Sequence, residues 1–292
     1  MNTEKEKSIR NLEELEHIED TFPNLPDEMR QFLRMAEMDA HLSPQATKLL
    51  DENPWLRDSF LWIANCPLFK FTHQFEDINQ ALVFFGSDKT KKLILNNLLL
   101  KVFQSKNSEI LPFLESLKEQ SVQTAFTSYF LAKHKALPFY QQVLAFHAGL
   151  HHAVGKMYLL NRTGSNYISL LKHAKQKKTA ISELENRYLN LNHVNMAEAL
   201  LEHWGAPKET KEVISLYNGP FNENSLNQAA ACVHAASLLV EYPKEFENQQ
   251  LKNLVNPTVE TWLDLSKDEI ISIRNNLGGE KQAIQEYIDI IK

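Results

Sequence analysis

His147, His151, His152 and Lys156 form the densest set of chemically capable side chains in the sequence. Imidazoles exchange protons near neutral pH and ligate metals, so three of them within six positions invite a catalytic reading. His147 and His151 are four apart and share a face of any helix, so a third ligand such as His193 would give a zinc site. The spacing is similar to the HExxH pattern of zinc proteases. Ala148 follows His147, however, so the general base of that pattern is missing. The plainer reading of the pair is two polar groups at an interface between lobes.

These side chains need an element to hold them. Val143, Phe146, Leu150, Val154 and Met157 recur at steps of three and four, which predicts one helix over Phe139–Leu160 with a single buried face. The histidines and Lys156 then crowd its other side. Gly155 either relieves crowding there or ends the helix, since it has no Cβ.

The remainder of the chain reads as a set of further helices. Eight glycines in 292 residues leave few positions for tight hairpins, so the expected class is all-α. Asn53-Pro54 and Ser43-Pro44 are cap-plus-proline starts, Asp77 opens a helix that Gly86 stops, and Asn192 caps a helix from His193. Ala229 to Val240 is rich in small residues and predicts a central buried helix. Beyond Asn256-Pro257, two or three short helices follow, with Ser266 as a cap and Gly278-Gly279 as a divider.

Composition excludes several classes of function. The net charge is −6 with both signs interspersed, so no basic surface is offered to a phosphate backbone and nucleic acid is not expected as a partner. No run approaches the roughly 18 apolar residues of a spanning helix. Cys66 and Cys232 lie far apart without CxxC spacing and are expected as buried thiols. The charged N-terminus lacks the apolar stretch of a signal peptide, so the expected compartment is the cytoplasm. Glycine-rich phosphate loops, a G-x-S-x-G elbow and a local Cys-His signature are all missing from the sequence.

Several short motifs occur in a recognisable order. Asn53-Pro54, Ile63-Ala64-Asn65, Pro67-Leu68-Phe69, Ile78 through Gly86, GLHHAVGK at Gly149 to Lys156, HVNMAEALLEHWGAP at His193 to Pro207 and VHAASLL at Val233 to Leu239 together resemble the HDOD family. These are bacterial signalling domains related to the HD phosphohydrolases. The resemblance spans about Phe22 to Tyr242. It implies a two-lobed helical bundle over residues 21–245, with an N-terminal lobe at about 21–115 and an HD-like lobe at about 116–245. A polar segment, 1–20, precedes it and a helical extension, 246–292, follows, for which a lid on the bundle or a dimer contact would both fit.

The resemblance also implies where chemistry would sit. HD enzymes hold a divalent metal with one histidine, an adjacent His-Asp pair and a distant aspartate. Here the pair is His152-Ala153, the first histidine falls near Gln120 and the distant aspartate near Ser237. One ligand of four remains, so no metal and no other cofactor are expected. Glu185 and Trp204 match recurring family positions and are expected as a buried ion-paired carboxylate and a core anchor. The expectation is a non-catalytic regulatory protein that acts through protein partners. A relic cleft formed from Gln120, His147, His151, His152, Lys156, His193 and Ser237 would have room for a small anionic ligand. A metal-dependent phosphohydrolase acting on a nucleotide or phosphoester is the alternative.

Overall fold

The computed structural model describes residues 18–38, 44–69, 71–222, 226–244 and 255–292, and among these the chain is helical, with no strand. Ser43, most of the polar segment 1–20, residue 245 and residues 246–254 of the C-terminal extension lie outside the described residues.

The N-terminal lobe comprises α1 (Asp27–Met38), α2 (Pro44–Glu52), α3 (Pro54–Asn65) and α4 (Ile78–Leu98). Proline begins α3 as expected, but Asn53 does not cap it: its amide turns back to the Leu49 carbonyl at 2.7 Å and so finishes α2 instead. Asp77 does cap α4, accepting the Asn79 amide at 3.0 Å. Gly86 interrupts α4 with φ 67°, a conformation that a side chain disfavours, and the helix resumes beyond it. Phe60, Ile63, Leu82, Phe85 and Ile94 fill this lobe's core.

The second lobe is built around α5 (Leu111–His134), which lies along both α6 (Phe139–His151) and α12 (Gln228–Glu241). Small residues make this packing close. A Cβ on Gly149 would stand 2.8 Å from the Ala125 Cα, so the α5 and α6 backbones nearly touch. Ala229 to Ala236 on α12 are all buried, which bears out the expected central helix. Between these elements run α7 (Val154–Thr163), α8 (Ser165–Lys177), α9 (Ile181–Leu189), α10 (His193–His203) and α11 (Lys208–Leu216). Asn192 caps α10 by accepting the Val194 and Asn195 amides at 3.0 and 3.1 Å. Trp204 is buried, and its indole donates to the Pro23 carbonyl at 2.8 Å, tying the end of α10 to the first described turn.

A further expectation is corrected. The helix predicted over Phe139–Leu160 is two helices, broken at His152 and Ala153. The His152 ring takes up the Gly149 carbonyl through Nδ1 at 2.7 Å, the carbonyl that the amide of residue 153 would use in an unbroken helix. Gly155 therefore ends nothing and sits in the first turn of α7. Its role is close approach: a Cβ there would fall 1.9 Å from the His193 carbonyl oxygen.

The C-terminal helices are α13 (Pro257–Leu263), α14 (Lys267–Gly279) and α15 (Lys281–Ile291). Ser266 and Glu269 form a reciprocal capping box on α14. Helix α15 is wedged between the lobes. Tyr287 is fully buried, edge-on to Trp62 and Phe146, and its hydroxyl reaches the Asn97 side chain at 2.8 Å. Trp62 donates to Glu286 at 2.8 Å, and Lys292 pairs with Glu119 of α5 at 2.8 Å. Each lobe thus gives this helix both apolar and polar contacts.

Candidate functional site

Lys156, His193 and Ser237 come together around a cavity of about 130 Å³. Helix α7 supplies Lys156, the first residue of α10 supplies His193, and α12 supplies Ser237 and Glu241. The loop between α8 and α9 contributes Thr179 and Ala180, and Tyr217 and Asn218 follow α11.

Four of the predicted residues lie elsewhere. His147 and His151 are buried on α6, His147 against Phe69 of the N-terminal lobe with ring centroids 5.6 Å apart. They do not line the cavity, and the lobe-interface reading of the pair fits His147. His152 is buried behind the wall, capping α6. Gln120 is half-buried on α5, with its amide 3.2 Å from the Ser116 hydroxyl, and also does not line the cavity. The amphipathic reading placed all the histidines on the polar side of a helix; burial instead leaves their rings in apolar surroundings. Burial holds His147 down to about 3, burial and then His147 hold His151 there, and burial and then Lys156 hold His152 there.

Behind the cavity runs a chain of buried polar groups. The Tyr167 hydroxyl donates to one oxygen of Glu185, and the other oxygen accepts the His193 amide at 2.9 Å and its Nδ1–H at 2.6 Å. His193 Nε2 and the Tyr217 hydroxyl share a hydrogen bond at 2.7 Å, and the Tyr217 oxygen lies 3.2 Å from the His152 carbonyl. Glu185 has no exposed surface. Burial works against its charge, but the His193 partner and the three hydrogen bonds outweigh it and hold the carboxyl below its ordinary range. The phenols of Tyr167 and Tyr217 are pushed well up, by burial first and then by Glu185. This confirms the buried, paired carboxylate expected at 185. Tyr167 and Tyr217 carried no sequence signal, because their partners lie on other helices, and neither did Glu241.

The family model for the HDOD domain matches residues 22–220. The chain belongs to the HDOD family. No curated protein matches it. Among solved structures, a "putative phosphohydrolase" from Shewanella amazonensis SB2B is similar at 15% identity and a TM-score of 0.62, over 97% of this chain and 100% of that one. An HDOD domain protein of unknown function from Geobacter sulfurreducens is similar at 17% identity and a TM-score of 0.51, over 93% of each chain. A "putative signal transduction protein" from Marinobacter aquaeolei VT8 is similar at 17% identity and a TM-score of 0.61, over 94% of this chain and 61% of that one. At these identities the likeness concerns the fold.

The kinship of HDOD domains with HD phosphohydrolases implies a divalent metal, and the side chains at the corresponding positions do not fit one. Ala153 has no donor atom and is fully buried. Ser237 directs its hydroxyl to the His234 carbonyl at 2.8 Å, within its own helix. His152 has Nδ1 committed to Gly149. Among the described residues no group of three or more His, Cys, Asp or Glu side chains is placed to hold a metal ion. A hard divalent cation needs several anionic or imidazole ligands, and this HDOD site offers one imidazole.

Proposed function

We propose that this HDOD protein is a non-catalytic regulator in signal transduction, acting by contact with another protein, with the relic cleft as a receptor for a small ligand bearing an anionic group. The observation that carries this reading is Ala153. It occupies the position of the metal-binding carboxylate, and it does so in the buried connection where α6 gives way to α7. Replacing carboxylates by Ala153 and Ser237 removes the charge that holds and activates a metal-bound water. The cleft itself remains, with Lys156 on its wall and His193 fixed by Glu185. The description of the Marinobacter relative as a signal transduction protein supports the same reading.

The test is turnover measured beside partner capture. Purified protein, supplied with manganese or magnesium, is assayed on nucleotides and simple phosphoesters, as is Ala153→Asp. Tagged protein is recovered from its own cells. The expected outcome is no turnover by either form and a stoichiometric protein partner. Hydrolysis by the natural sequence that disappears in His152→Ala would overturn the reading in favour of a phosphohydrolase.

A further inference from the structure

The cavity beside His193 carries charges of both signs. Lys156 enters it from α7 and Glu241 from the last turn of α12, and both are half-buried. Neither is ion-paired with the other or with any other described residue. Some charges near the surface of this protein meet a partner, as Lys208 does with Glu212, Lys211 with Glu202, and Lys292 with Glu115 and Glu119. Two opposite charges that share one small cavity without meeting leave a gap that a ligand can span. Partial burial also weakens the water screening that would otherwise satisfy each of them.

We propose that the cleft binds a small zwitterion of the amino-acid class, with its carboxylate at Lys156 and its ammonium at Glu241. This rests on the reading of the cleft as a ligand site and specifies the ligand's charge. A simple anion would gain from Lys156 but meet Glu241, with the anionic Glu185 behind the wall. A simple cation would meet the converse. A molecule bearing both signs gains at both ends.

Size points the same way. About 130 Å³ is the space of roughly four waters, too little to enclose a nucleotide but enough for a molecule with a few carbon atoms. The rest of the lining suits an amino acid's short stem. Ala180, Ile181 and Leu238 give apolar surface, while Thr179, Ser182 and Asn218 offer hydrogen bonds. The floor is fixed, because Tyr217 and His193 are bonded to each other and His193 to Glu185. A ligand therefore meets a site that needs little rearrangement.

The experiment is a ligand screen on the full chain by thermal shift and titration calorimetry. The probes are the common L-amino acids at millimolar concentration, with acetate, propionate, methylamine and inorganic phosphate as single-charge controls. Lys156→Gln and Glu241→Gln are tested alongside; both side chains are half-exposed, and circular dichroism verifies that the variants fold. The expected result is that at least one amino acid binds the natural protein more tightly than any control. Each variant should then weaken that amino acid by about ten-fold or more, while Glu241→Gln leaves simple carboxylates unharmed or improved. Phosphate or a carboxylate binding best, with loss only in Lys156→Gln, would sink the zwitterion and leave the cleft an anion site. An amine binding best would also sink it. Absence of binding by every probe would overturn both the zwitterion and the ligand-receptor reading beneath it.

Discussion

A methyl group at Gly155 would stand 1.9 Å from the His193 carbonyl oxygen and 2.9 Å from the Ala197 nitrogen, both backbone atoms that cannot rotate away. At Gly278, inside α14, the same methyl would meet nothing within 4 Å. Gly155→Ala should therefore cost about 3 kcal/mol, since α7 and α10 must separate. Gly278→Ala should stabilise by about 0.5–1 kcal/mol, through helix propensity alone. Urea denaturation of the two variants checks both values. The buried histidines supply a second residue-scale expectation. His147, His151 and His152 stay neutral in the fold down to about pH 3, whereas the unfolded chain protonates them near 6.5. Their stability contribution is complete above about pH 6.5 and is lost as pH falls toward 3, because only the unfolded chain takes up the protons. Each costs about 1.4 kcal/mol per pH unit in that window, so the three together should lower stability by about 4 kcal/mol between about pH 7.5 and 5.5. His151→Leu should remove about a third of this slope. A flat profile across that window would contradict the neutral, buried state.

Among the elements, α15 is the one whose contacts reach furthest along the chain. Tyr287 touches Trp62 and Asn97 in one lobe and Phe146 in the other. Tyr287→Phe keeps the ring and removes the hydroxyl, leaving the Asn97 oxygen without that donor in a buried place. The expected loss is about 1–3 kcal/mol, read as a lowered unfolding midpoint at unchanged denaturant slope. Four of the helices have a first turn punctuated by Asp77, Asn192, Asn256 or Ser266, whose side chains close it within a few residues, and their starts were legible for that reason. The break at His152 was not legible, because Val154 and Met157 stay in phase with Val143, Phe146 and Leu150 straight through it. Periodicity reports which face is apolar and does not see a carbonyl taken by a side chain. The cleft was half legible for a related reason. Lys156, His193 and Ser237 sit in recognisable motifs, but Tyr167 and Tyr217 matter only through partners 18 or more positions away, and Glu241 only through the cavity it lines. The Gly278-Gly279 divider was right to within a residue: α14 runs through both glycines, and Glu280 separates it from α15.

For the whole molecule, the scarcity of glycine was enough to indicate an all-α fold, and the motif order enough to indicate the HDOD architecture that the family match shows. What composition could not show is how firmly the lobes are joined. They share α15, the bond from Thr210 to Asn96 at 3.1 Å and the seat of His147 on Phe69. The two cysteines then become a pair of built-in clocks. Cys66 lies in the first lobe at the end of α3 and Cys232 lies in the second on α12, both buried, with burial raising the Cys66 thiol to about 11 and pushing the Cys232 thiol up as well. A thiol reagent can reach either only when the surrounding structure opens, so its rate at each sulfur times the opening of that lobe without any introduced label. Lobes joined this firmly should open together, and mass spectrometry of the partially reacted protein should find molecules carrying both adducts or neither. A dominant species modified at Cys66 alone would show instead that the first lobe opens while the second stays closed.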